Sequence, residues 1–137
     1  LPLFEAAYSG LPVIAPDWSG HKDFLYAPTK KDDSKRKSPL FAKVDYTLEP
    51  VKNNSLWKGV IEKGAVWCYP KKDSYKLVID DVYNNYQKHK SKANKLKSYV
   101  LKNFKEKDVN KKFVDSVFRG LNVDPAEVQK QEEIVIL

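Results

Sequence analysis

Cysteine is nearly absent from this sequence, with Cys68 standing alone among 137 residues. Without a second thiol to pair with, a secreted disulfide scaffold is excluded, and a reducing, cytoplasmic setting is the expectation. Only His21 and His89 accompany that thiol, too few for a histidine and cysteine metal centre, so no metal is expected. No base neighbours Cys68, which reads as a small apolar side chain rather than a nucleophile. Methionine is missing altogether, and the chain opens on Leu-Pro-Leu-Phe-Glu as though cut from inside a domain, so a fragment of a longer protein is expected. No apolar run approaches the roughly 18 residues of a membrane span. The opening also lacks the basic start and apolar centre of a signal peptide, and no transmembrane segment is expected.

What remains is the composition of a globular domain, 42% hydrophobic, 31% charged and 12% aromatic. A chain of this length can bury a core without disulfide or metal staples. Leu3, Phe4, Ala6 and Ala7 suit a short helix ending at Gly10, a residue that accepts the positive φ of a helix C-cap. The run from Leu11 to Pro16 is apolar and bounded by prolines, as in a buried strand of a parallel sheet. Asp17-Trp18-Ser19-Gly20-His21 is then a loop at the carboxyl end of that strand, the edge where α/β sheets hold ligands.

Residues 29–38 are charged and without apolar side chains, a solvated loop or an insertion. Residues 41–48 alternate with period two, predicting a half-buried strand ended by Pro50. Asn53-Asn54-Ser55 offers a cap for a short helix over 57–62 closed by Gly64, and 65–69 reads as another strand before Pro70. Tyr75, Ile79, Val82, Tyr86, His89, Ala93, Leu96 and Val100 recur at steps of three and four from an Asp73 or Ser74 cap, predicting one long amphipathic helix. A second helix over 108–119, with Val109, Phe113 and Val117 inward, should stop at Gly120. The end offers a helix start at Asp124-Pro125 and the apolar run Ile134-Val135-Ile136-Leu137.

The formal net charge is +7, and between residues 88 and 112 ten lysines face only Glu106 and Asp108. No arginine there offers a bidentate fork, and the aromatics nearby fall on the apolar stripe, so the lysines read as a solvated face. No nucleic-acid partner is expected from them.

The segment Leu1-Pro2-Leu3-Phe4-Glu5-Ala6-Ala7-Tyr8-Ser9-Gly10-Leu11-Pro12-Val13-Ile14-Ala15-Pro16-Asp17-Trp18-Ser19-Gly20 resembles the donor site of retaining GT-B glycosyltransferases of the group 1, family 4-like kind. That family carries two glutamates separated by seven residues, followed by Gly-x-Pro-Val-Ile. Glu5 matches the second glutamate, Gly10 to Ile14 match the following motif, and the first glutamate would fall before Leu1. Residues 64–70, the long helix and Asn103-Phe104 resemble the family's C-terminal region more weakly.

The resemblance implies an α/β fold, the C-terminal part of a Rossmann-like nucleotide-sugar-binding domain of GT-B type with long C-terminal helices. Its implied organisation is a partial donor-binding domain over 1–72, C-terminal helices over 73–120 and a tail over 121–137. It implies that Glu5 accepts hydrogen bonds from the ribose hydroxyls of a nucleotide-sugar. Backbone N–H groups at the helix entrance, Leu1 and Leu3 because Pro2 has none, would face the diphosphate. His21 and Asp23 match no functional position of the family.

The implied activity is transfer of a hexose from a nucleotide-sugar with retention, without a separate cofactor or obligatory metal, the nucleotide-sugar being substrate. The acceptor-binding N-terminal domain would be the missing partner in the same parent chain, and the fragment alone would be inactive, with no catalytic residue of its own. Two rivals stay open. One is a non-catalytic lysine-rich module for nucleic acid or an anionic surface, and the other a degenerate glycosyltransferase-like domain kept for protein association.

Overall fold

A computed structural model describes residues 1–28 and 37–121. The fold is mixed α/β, and among the described residues helices predominate over three two-stranded sheets. The chain divides into two units, Leu1–Val100 and Leu101–Leu137.

The first unit opens with helix α1 (Pro2–Ser9), in which Pro2 occupies the first turn, where its missing N–H costs nothing. Gly10 ends it in the left-handed region at φ 76°, with the Gly10 N–H donating to Ala7 O (3.1 Å) and the Leu11 N–H to Ala6 O (2.9 Å). Strand β1 (Ile14–Pro16) follows and pairs in parallel with β4 (Ala42–Val44), setting Ile14 opposite Ala42 and Pro16 opposite Val44. Val13 and Ala15 are buried while Ile14 and Pro16 are half-buried, close to the enclosed strand that the apolar run predicts.

Between β1 and β4 come the short helix α2 (Lys22–Leu25) and the antiparallel pair β2 (Tyr26–Pro28) and β3 (Lys37–Pro39). Lys37 and Ser38, expected in a solvated loop, therefore belong to a strand, and the rest of that loop lies outside the described residues. The expected continuous strand over 41–48 is two strands. At Asp45 the backbone changes partners, its N–H donating to Ser74 Oγ (2.9 Å) and its carbonyl accepting from the Lys71 N–H (2.8 Å). Strand β5 (Tyr46–Pro50) then pairs antiparallel with β6 (Val66–Pro70).

The helix expected over 57–62 does not form. A single 3₁₀ turn spans Asn53–Ser55, and Trp57 and Ile61 close a tight reversal through two backbone hydrogen bonds. Gly59 sits in it at φ 80°, and the Glu62 carboxylate accepts the Gly59 N–H (2.6 Å), so local polar bonds take the place of helical ones.

The long helix is also divided, into α3 (Lys72–Asn84) and α4 (Tyr86–Asn103). Asn85 leaves helical geometry at φ −113°, ψ 36°, while its side chain donates to Asp81 Oδ1 (2.8 Å). Ser74 is not the cap of α3, because its hydroxyl is engaged by Asp45 and Lys71 stands at the cap instead. The core of this unit joins Ala7, Val13, Ala15, Ala42 and Val44 with Ala93, Leu96 and Val100 of α4. Leu25, Leu96 and Val100 are its fully enclosed large side chains, each contributing about 1.5–3 kcal/mol.

In the second unit α5 (Glu106–Leu121) runs through Gly120 rather than stopping there, and it begins with Glu106 and Asp108 where the helix dipole favours acids. Val109, Phe113 and Val117, expected inward, are exposed. The helix start at Asp124 and the terminal apolar run lie outside the described residues.

Candidate functional site

Function in an α/β sheet gathers at the carboxyl ends of its parallel strands. In this chain that edge is where β1 leaves at Asp17 and β4 leaves at Asp45. The first turn of α1 packs on the segment that follows β1, the Phe4 ring meeting Phe24 of α2 edge-on at 5.2 Å between centroids. Glu5 follows Phe4 on that turn, and its side chain is exposed. No hydrogen bond or ion pair engages it among the described residues. Leu1 stands at the cap and Leu3 in the first turn, where an N–H has no acceptor within the helix. The Phe4 and Glu5 N–H groups are both turned back to Leu1 O, at 2.9 and 3.1 Å.

The loop after β1 is held by a polar cluster that the sequence did not single out. Asp17 Oδ2 accepts from Tyr26 Oη and from Lys43 Nζ, both at 2.7 Å, and Lys22 Nζ lies 3.6 Å from Oδ1. Asp17 O accepts from Tyr46 Oη at 3.2 Å, which ties β5 to the same point. Burial is the largest single influence on the Asp17 carboxyl and works against its charge. The hydrogen bonds from Lys43 and Tyr26, with the charges of Lys43 and Lys22, together outweigh it and hold the group below the usual carboxylate range. Lys43 is raised in turn, first by its hydrogen bond to Asp17, and its ammonium also lies 5.1 Å from the Tyr26 ring centre. The one available sequence signal was position, an aspartate directly after an apolar strand. Its partners come from four other elements that spacing alone does not bring together.

His21, by contrast, lies at Nε2 2.7 Å from Pro16 O, a backbone contact that closes the loop. Asp23, two residues on, is exposed; its N–H donates to Gly20 O at 3.2 Å, and its carboxylate makes no hydrogen bond or ion pair among the described residues. The Cys68 thiol is half-buried on β6, and burial raises it, which keeps it protonated and poorly nucleophilic. Beside the end of β4 an open depression of about 690 Å³ is lined by Lys43, Asp45, Lys71, Lys72, Asp73 and Ser74, among others. It mixes both charge signs and so is not a cradle for one kind of ion.

Chemically, the described residues here present unengaged carboxylates, Glu5, Asp23 and Asp45, and first-turn amides of α1, set beside a loop fixed by Asp17. These are groups that accept from hydroxyls and donate to anions; they hold no nucleophile and base in mutual reach. Comparison of the chain with protein-family models, with curated proteins and with solved structures gives no match.

Proposed function

We propose that the chain is the C-terminal donor-binding part of a retaining glycosyltransferase of GT-B type, built on a Rossmann-like domain. The observation that carries this reading is the unengaged Glu5 carboxylate on the first turn of α1, next to Phe4, whose ring packs against Phe24 of the segment that follows β1. Support also comes from the order of parts along the resembling segment: a helix, a left-handed Gly10, a parallel strand and a pinned loop.

In this reading Glu5 accepts the two hydroxyls of the donor's ribose, a task that matches a carboxylate's two oxygens. The N–H groups of Leu1 and Leu3 face the diphosphate, where the positive end of α1 favours negative charge. Asp17 acts on neither group directly and keeps the neighbouring loop in register. Acceptor and transfer machinery reside on the other domain of the parent chain.

Replacing Glu5 by Ala in the parent protein removes a charge-assisted pair of hydrogen bonds and is expected to weaken donor use by about ten- to a hundredfold. Donor titration by calorimetry, alongside initial rates, reads this directly. Unchanged donor affinity in E5A would overturn the assignment, as would an upstream coding sequence with no glutamate at the matching position.

A further inference from the structure

The charge of the chain is gathered on one helix. Helix α4 carries six lysines and no acidic residue, while the sequence before it has thirteen cations against eleven anions and the sequence after it six against seven. The helix thus holds nearly all of the formal net charge of +7.

The structure divides these lysines by task. His89, Ala93, Leu96 and Val100 form the buried stripe. On one flank, Lys90 Nζ donates to Gly10 O at 2.7 Å, and the Lys97 stem lies against Gly10, so both cations sit at the C-terminal end of α1. On the other flank Lys88, Lys92 and Lys95 follow each other at steps of four and three, a row about 100° round the helix from the buried stripe. None of these three makes an ion pair or hydrogen bond among the described residues, and Asp81, the carboxylate nearest in influence to Lys88, is already held by His89 and Asn85. Between the flanks run Gln87, Ser91, Asn94 and Ser98, short polar side chains without an acid or an aromatic ring.

We infer that this face of α4 docks the chain on the surface of a bilayer rich in anionic lipid, with Lys88, Lys92 and Lys95 as the contacting row. Charge complementarity carries the choice of partner. A protein interface needs an apolar anchor at its centre, and the outer face of α4 supplies none over 87–98. Nucleic-acid modules add guanidinium forks or base-stacking rings to their phosphate contacts, and over 87–98 this face has neither arginine nor aromatic side chain. An anionic bilayer asks only for a row of cations brought within a Debye length, roughly 8–10 Å. Such docking is independent of whether the chain handles a nucleotide-sugar.

The test is co-sedimentation of the chain with phosphatidylcholine vesicles, with and without phosphatidylserine. Binding is expected only with phosphatidylserine and is expected to fall as salt rises. The triple change Lys88→Gln, Lys92→Gln and Lys95→Gln is expected to weaken it by about fivefold for each lysine, on the order of a hundredfold together. Glutamine preserves helix propensity, and an unchanged helical circular dichroism signal checks the fold. A control with the same change in net charge, Lys52→Gln, Lys58→Gln and Lys63→Gln, is expected to bind nearly as the unaltered chain does. Equal binding to both vesicle types, no binding to either, an unaffected α4 triple or an equal loss in the control would each overturn the inference. So would displacement from vesicles by RNA or duplex DNA at matched phosphate concentration, which would assign the face to nucleic acid.

Discussion

A single carboxylate, Asp17, gathers more of the candidate edge than any other residue, since it joins Lys22, Tyr26 and Lys43 through its side chain and Tyr46 through its carbonyl. Two of its donors converge on Oδ2, while Oδ1 is enclosed with no hydrogen bond. Replacing it by Asn keeps an acceptor but removes the charge that holds Lys43. With Lys43 partly exposed, solvent screening limits the expected loss to about 1 kcal/mol. The sign with pH follows from the depressed Asp17 carboxyl. Its contribution is present above the ordinary aspartate value and is lost as pH falls through the lower folded value. Lys43 is raised, so its contribution is full below the ordinary lysine value and is lost as pH rises through the higher folded one. Urea midpoints across pH should therefore show the gap between the unaltered chain and D17N narrowing at the acid end. A gap that stayed constant there would show that charge is not what Asp17 contributes. Asp81, lowered first by its hydrogen bond from His89, leaves an acid limb of its own in D17N.

At the scale of elements, the turn between α1 and β1 makes the sharpest demand. Gly10 has φ 76°, and a methyl group added there would lie 3.1 Å from Lys97 Cδ. Replacement by Ala is expected to cost about 1–2 kcal/mol, from the left-handed backbone together with the displaced lysine stem. A thermal midpoint unchanged in G10A would refute this. The same turn shows what sequence made legible. Helix, Gly cap, apolar strand and following loop were readable because each has a local cause: proline at the first turn, glycine at positive φ, and three apolar residues between prolines. The breaks at Asp45 and Asn85 were not readable, because period two continues across the first and the three-and-four spacing continues across the second. Each break is set by polar bonds to distant or folded-back partners, Ser74 and Lys71 for Asp45, and Asp81 for Asn85. The Asp17 cluster escaped notice for the same reason, since Tyr26, Lys43 and Tyr46 become neighbours only when three strands are in place. Glu5 was found through resemblance of its whole segment, for a lone first-turn glutamate otherwise reads as a dipole partner.

At the scale of the first unit as a whole, burial is one-sided. The core is drawn from α1, β1, β4 and α4, while α3 buries no residue fully and β5 with β6 leaves large apolar side chains in solvent. Leu77 and Tyr83 of α3 are 70% and 82% exposed, and Trp57, in the connection between β5 and β6, is 66% exposed. An amphipathic helix normally turns such residues to a packed neighbour, and large apolar side chains left exposed promote association. None of the three supports the core, so replacing Leu77 and Tyr83 with Lys should leave the unfolding midpoint within about 0.5 kcal/mol of its original value. The same double change should reduce binding of a hydrophobic dye and shift sedimentation at high concentration toward the monomer. A large loss of stability in L77K/Y83K would mean instead that these side chains are packed in solution, and that α3 is held by more than its bonds to Asp45 and its tether to α4 through Asp81.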